Sequence, residues 1–417
     1  MVAASGQIPA SPKTLNERFS AIRGRSLQLC QSLEAEDFVV QSMPDVSPTK
    51  WHLAHVTWFF ETFVLQPHAS NYRCFDERFA YLFNSYYYTA GQMHGRAVRG
   101  LLTRPTVAGV LAYRQHVDDA MQQFLANCDD TTTLAIVELG LHHEQQHQEL
   151  LLTDIKHVLS VNPLQPAMLQ HPPSRNPSNA IELAFENVTG GVVRIGADPD
   201  ADAFCYDNET PQHEVLLRDH AIANRAVTNA EYLEFIEDGG YQESALWLSD
   251  GWAAIQQHGW QAPLYWNETK THAFTLAGPQ EIDEQAPVAH VSFYEADAFA
   301  RWAGLRLPSE AEWEYHAATQ PLSGNFAEDQ HWQPIAGGTG WFGDVWEWTA
   351  SSYAPYPGFR PLAGSLGEYN GKFMCNQMVV RGGSCASAAS HLRATYRSFF
   401  YPDARWQFLG LRLAKDL

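Results

Sequence analysis

"TTTLAIVELGLHHEQQHQELLLTDIKHVL", residues 131–159, reads as one long helix. Thr131, Thr132 and Thr133 offer capping oxygens at its start. Ile136, Gly140, His143, His147, Leu150 and Asp154 recur at three- and four-residue steps and share one seam. His143 and His147 thus occupy positions where the rest of the seam carries mostly core residues. His142 lies about 100° round the axis with Glu138 and Glu149, and is expected in solvent. Two imidazoles at i and i+4 can meet one metal ion, whereas a lone buried histidine usually only finds a hydrogen bond.

His143-Glu144-Gln145-Gln146-His147 also fits H-E-x-x-H, the pattern of zinc peptidases with Glu144 as general base. Five letters are a weak signal. The extended pattern wants a glycine and a third histidine downstream, and Leu150 and Thr153 stand there instead. A zinc hydrolase, a pair of satisfied core histidines and a different metal centre all remain open on spacing.

Working outward, "SPTKWHLAHVTWFFETFVL" opens with Ser47 as N-cap and Pro48 in the first turn. His52 and His55 lie on it at i and i+3, and its near-continuous apolar surface does not separate them. With "TVAGVLAYRQHVDDAMQQFLANC" and a helix around "LNERFSAIRGRSLQLCQSL", the pattern predicts a four-helix bundle. A third imidazole from the His52/His55 helix would complete a three-histidine site with open cis positions, suited to iron(II), copper or zinc. Open cis positions fit a thiolate and dioxygen bound together.

Residues 1–160 are assigned to the bundle, and residues 1–12, rich in Ala, Ser and Pro, to a frayed end. Pro, Asn and Ser crowd residues 161–181, a connection between domains. Residues 182–417 change character, with short strands such as "GGVVRIGA" and "HEVLLRDHAIA" and helices at "NAEYLEFIEDGG" and "YEADAFARWAG". The whole is predicted as an α+β protein.

A formal charge of −20 argues against a nucleic-acid partner, which would require clustered cations. No stretch has the length of a membrane span and the N-terminus lacks a signal core, so a cytoplasmic protein is expected. Six cysteines without paired spacing fit reduced thiols.

"SPTKWHLAH", "HHEQQHQE", "GDVWEWTASSYAPYPGF" and "RGGSCAS" followed by "RATYRSFFYPDARWQFLGLRLA" together resemble the ergothioneine-pathway sulfoxide synthases, or hercynine oxygenases. The resemblance covers nearly the whole chain. It implies a DinB-like bundle followed by a formylglycine-generating-enzyme-like domain with a C-type-lectin-related fold. Trp313, Trp346 and Trp348 are then scaffold.

The implied reaction uses iron(II) and O2 to join a thiol to the imidazole of hercynine (Nα-trimethylhistidine) as a sulfoxide. The implied ligands are His55, His143 and His147, with Glu144 as a supporting residue. Gln146 matches the glutamine that contacts the hercynine imidazole, and Arg96 and Arg99 resemble the pair that grips the thiol substrate.

The branch using γ-glutamylcysteine reads Asn-Trp-Asp where this chain has Ser398-Phe399-Phe400. Phe400 cannot make a charged contact with an ammonium group, which favours cysteine, while Phe399 would wall the hercynine site. A proton-donating tyrosine is assigned to Tyr86 and Tyr87, with Tyr369 a further candidate. The rivals are an ovothiol-type 5-histidylcysteine sulfoxide synthase, whose relatives usually carry a further methyltransferase domain not expected after "LGLRLAKDL", and a metal-stabilised binding module. A formylglycine-generating enzyme would need paired cysteines, and none follows Cys385.

Overall fold

The structure, a computed structural model, describes residues 14–170, 181–201, 203–338 and 340–417. The expected frayed end, residues 1–12, lies outside them, as do residues 171–180 of the expected connection.

Four helices form the N-terminal bundle: α1 Leu15–Leu29, α2 Thr49–Phe60, α3 Val107–Leu125 and α4 Thr131–Ser160. α1 opens with a reciprocal capping box between Thr14 and Glu17. Two expected caps are corrected. α4 is capped by Asp130, whose carboxylate accepts from the Thr133 N–H. Carboxylate and hydroxyl caps have similar sequence value, and the residue one place earlier has the extended backbone that a cap needs. On α2, Pro48 takes the N-cap position and Ser47 instead donates its N–H to Asp154 at 2.8 Å.

α4 packs against α1 and α2, and α2 against α3. Gly140 permits the close approach of α4 to α2, since a Cβ there would stand 2.6 Å from Phe60 and 2.8 Å from Phe59. Both rings are fixed within the core. Gly140→Ala is therefore expected to lower stability by about 1–3 kcal/mol through overpacking, despite the better helix propensity of alanine. An alanine variant with an unchanged urea midpoint would show that the helices can separate freely.

The second domain is built on a six-stranded sheet. Its strands in chain order are β1 Phe185–Val188, β2 His220–Ala226, β3 Trp346–Ser352, β4 Met378–Arg381, β5 Ser398–Phe400 and β6 Leu409–Asp416. Their spatial order is β1-β2-β6-β3-β4-β5, antiparallel except for the parallel β6/β3 pair. "HEVLLRDHAIA" is two strands rather than one, His213–Leu217 and His220–Ala226, broken at Arg218 and Asp219. The helices expected in this half appear as Asn229–Glu237 and Phe293–Trp302, each with a capping box, joined by Ser249–His258 and Glu310–Ala317.

Trp313 and Trp348 are fully buried, donating to Glu347 at 2.6 Å and to the Val291 carbonyl at 2.9 Å. Trp346 is scaffold and more: its indole donates to Glu149 of α4 at 2.8 Å.

The second domain also covers the face of α4 that was expected to meet water. His142 and Glu149 are 4% and 6% exposed. Glu149 accepts from Trp346, Ser384 and Ser387, and His142 Nδ1 lies 3.0 Å from His391 Nδ1. A helix that is polar on its outer face need not be solvated when a second domain supplies partners. Among the described residues, no helix is long and apolar enough to cross a membrane.

Candidate metal centre

α2 and α4 bring His55, His143 and His147 together in the bundle core, with one nitrogen of each within 4.8 Å of the others. The His55 Nδ1–H donates to the Phe83 carbonyl at 2.5 Å, which leaves Nε2 with a free lone pair. That atom and both ring nitrogens of His143 are buried without any hydrogen-bond partner. Buried polar atoms without partners are rare, and His55 Nε2 together with one nitrogen of His143 and one of His147 forms a group that could hold a metal ion. Burial pulls all three imidazoles down, His143 to about 3, so each is neutral and ready to bind at neutral pH. Three neutral imidazoles fit a divalent ion of the iron, copper and zinc series.

The other histidine of α2 supports this cluster. His52 Nε2 donates to Asp154 Oδ2 at 3.0 Å, and its Nδ1 lies 2.9 Å from His147 Nδ1. With the Nε2 hydrogen directed at Asp154, His52 presents Nδ1 as the acceptor. His147 then donates from Nδ1 and keeps Nε2 for a metal. Asp154 is held in turn by the Ser47 N–H and the Trp406 indole at 3.1 Å, so the second domain reaches His147 through three hydrogen bonds. Asp154 stood on the same helical seam as His143 and His147, the one sequence sign of this support. His52→Leu removes the acceptor for His147 and is expected to weaken divalent-metal binding 10- to about 100-fold. Anaerobic titration with a competing chelator measures this, and an unchanged affinity would remove the relay.

Glu144 does not face the cluster's chemistry. It accepts from Arg114 at 2.5 Å, Arg23 at 2.9 Å and Ser26 at 2.6 Å, fully buried. Burial alone would raise its pKa, but Arg114 and Arg23 overcome that and hold it at about 2. A carboxylate committed to two guanidinium groups cannot serve as a peptidase base.

Beside the cluster lies a cavity of about 450 Å³ between the two domains, with His147 and His52 in its wall. Gln146, Arg96, Arg99, Ser398, Phe399 and Phe400 all line it, although they come from distant parts of the chain. β5, the edge strand, supplies the last three. Gln146 donates to the Tyr396 hydroxyl at 2.5 Å.

Arg99 is 3% exposed, stacks over Trp51 at 3.3 Å, and donates to Ser47 and Ser85. It forms no ion pair among the described residues, and burial pulls its pKa down. Arg96 is exposed and donates to the Asp45 carbonyl.

Tyr86 lines the cavity, and Tyr87 stacks behind it at 4.7 Å, against Trp58. Tyr369 also lines the cavity and sets its ring 5.5 Å from His143, edge to face. Tyr396, Trp406 and Glu149 complete walls that the sequence reading did not assign. The resemblance placed the motif "RATYRSFFYPDARW" at the site without separating these side chains.

A helical bundle carrying a three-histidine cluster, closed by an α+β domain that walls a substrate-sized cavity, defines a two-domain metalloenzyme. Residues 18–151 match the DinB superfamily, and residues 174–337 and 332–417 match the sulfatase-modifying factor enzyme 1-like domain. Along its length the chain is similar to the hercynine oxygenase of Mycolicibacterium smegmatis, at 32% identity over 97% of this chain and 99% of that protein. The hercynine oxygenase of Mycobacterium tuberculosis matches at 30% identity over 98% and 100%. The formylglycine-generating enzyme of Streptomyces coelicolor matches at 31% identity over 54% of this chain and 87% of that protein. PvdO from Pseudomonas aeruginosa superposes with a TM-score of 0.38 at 20% identity, covering 56% of this chain and 94% of its own. The chain belongs to the hercynine oxygenase family, and it is an oxygenase, an enzyme of the oxidoreductase class.

Proposed function

We propose that the protein is an iron(II)- and O2-dependent sulfoxide synthase that joins hercynine to a thiol, cysteine in preference to γ-glutamylcysteine. The observation that carries this is the convergence of His55, His143 and His147 beside a cavity whose walls include an unpaired, buried Arg99. His55, His143 and His147 would hold the iron, which when bound supplies the redox chemistry with dioxygen.

The protein's own side chains account for the rest. Arg99 offers donors to the thiol substrate's carboxylate, with Arg96 at the solvent side. A trimethylammonium group donates no conventional hydrogen bond, so aromatic faces or shaped oxygen pockets must hold it. Phe399, stacked on Tyr353 at 4.0 Å, and Phe400, edge to face with Trp406, provide such faces. Gln146, fixed by Tyr396, orients the imidazole. Burial pushes the Tyr86, Tyr87 and Tyr369 phenols up, so all three keep their protons at neutral pH. Tyr86 and Tyr369 lie at the cavity wall, where a donated proton can reach the substrates, with Tyr87 packed behind them.

Phe400 at the β5 edge leaves no carboxylate at the position expected to hold the glutamyl ammonium, which favours cysteine. The test is anaerobic loading with iron(II), followed by oxygen uptake with hercynine and each thiol, with products read by mass spectrometry. Sulfoxide formed faster from cysteine is expected. Preference for γ-glutamylcysteine would overturn the Phe400 argument alone, and no uptake with either thiol would overturn the reading as a whole.

A further inference from the structure

Further along α4 than the histidine cluster lies Lys156, which is 3% exposed. Its Nζ is 2.7 Å from His290 Nε2. His290 Nδ1 faces the Arg405 carbonyl at 3.3 Å, so the imidazole proton is used there and Nε2 offers a lone pair. The ammonium therefore gives one of its three hydrogens to a neutral ring. Otherwise it rests over the faces of Phe408 at 4.6 Å and Tyr265 at 4.9 Å. Among the described residues no carboxylate forms an ion pair with it. Burial pulls Lys156 down to about 7, a direction that an anion beside it would reverse.

Lys156 is in the wall of a second cavity of about 360 Å³ that shares no lining residue with the first. Leu264, Trp266 and Phe274 supply apolar wall, and the exposed Glu281 and half-buried Asp283 also line the cavity. Tyr265 lines it too, and its hydroxyl is buried without a partner. Tyr265 and His290 both hold left-handed backbone conformations, φ +78° and +66°. Such conformations are costly for residues with a Cβ and persist where the surroundings impose them, often at ligand sites. One cavity thus collects a buried cation without an anion, a phenol without an acceptor and two strained residues.

We propose that this cavity binds a small monocarboxylic acid with an apolar or aromatic body, its carboxylate held by the Lys156 ammonium and the Tyr265 hydroxyl. A carboxylate supplies the acceptors that both groups lack. Among the described residues, Lys156 is the one lysine or arginine in the lining and lies deep, while the carboxylates in the same lining are the exposed Glu281 and the half-buried Asp283. One buried cation matches one negative charge, and a phosphate dianion would bury a second charge without a partner.

The experiment is fluorine NMR on the full chain with 4-fluorobenzoate as the probe and 4-fluorobenzamide as its uncharged control. Binding of the benzoate and not the amide is expected. Lys156→Met should weaken it at least about tenfold, because a buried charge-assisted hydrogen bond is lost. Tyr265→Phe, which removes one oxygen and leaves the ring packed, should weaken it about threefold or more, and it decides the matter if the lysine variant fails to fold. Arg99→Ala should leave the probe's affinity unchanged, which separates this cavity from the one beside the histidines. Absence of benzoate binding, equal binding of the amide, wild-type affinity in Tyr265→Phe, or loss in Arg99→Ala alone would each overturn the assignment.

Discussion

His143→Leu is expected to abolish oxygenase activity and to cut iron(II) affinity by at least about 100-fold, beyond what losing a supporting partner costs. The reason lies in what His143 does without a metal. Both of its ring nitrogens are buried and unpaired, so the imidazole contributes nothing to the protein's own hydrogen-bond network. Replacing an unpaired polar group by an apolar one of similar size removes a desolvation cost and leaves no orphan behind. The metal-free variant should therefore be as stable as the parent, within about 1.5 kcal/mol.

A core histidine kept for packing would behave in the opposite way, losing stability while metal content stayed constant. Metal stoichiometry by mass spectrometry and unfolding of the apoprotein in urea separate the two. Full iron occupancy in the leucine variant would remove His143 from the ligand set. The contrast with His55 sharpens the point. His55 is tied to the Phe83 carbonyl through Nδ1, so its removal would orphan that oxygen as well as the metal.

Helical spacing was enough to align His143, His147 and Asp154 on one seam, because the 3.6-residue period applies along a continuous α4. It could not choose between His52 and His55. Both turn inward, one as ligand candidate and the other as its support, and the difference is set by Phe83 and Asp154 from other parts of the chain. Nor could periodicity reveal that His142 and Glu149 are buried, because their partners His391, Ser384 and Ser387 lie more than two hundred residues away. The motif resemblance reached the cavity residues that spacing could not. Arg96, Gln146 and Phe399 have no local pattern in common and meet only when β5 and the Arg96–Leu101 turn close over α4. The α4 cap was missed by a single residue, since Asp and Thr carry nearly the same capping value, whereas at α2 the cap position falls on Pro48 and Ser47 turns its N–H to Asp154.

Glu144→Gln is expected to lower the stability of the bundle by about 3–5 kcal/mol, the usual consequence of removing one partner from a buried ion network. Arg23 would keep Asp118 at 2.6 Å, but Arg114 would be left fully buried without a carboxylate. Glu144 also sets an acid dependence. Its folded pKa of about 2 lies below the ordinary 4.5, so the folded state holds the ionised form. A depressed carboxyl contributes its stabilisation in full above pH about 4.5 and loses it as pH falls toward about 2. The difference amounts to about 3 kcal/mol. In urea unfolding at stepped pH, the parent should therefore weaken across that window, while the glutamine variant starts lower and lacks this part of the slope.

The same variant answers the question that H-E-x-x-H raised. A peptidase base could be changed to glutamine with activity lost and stability kept. Here the cost falls on the fold, and the iron content per folded molecule should stay near that of the parent, because Glu144 contacts Arg23, Arg114 and Ser26 and not the metal-facing nitrogens. Parent-like stability with an unchanged acid slope would show that the two arginines do not depend on this carboxylate.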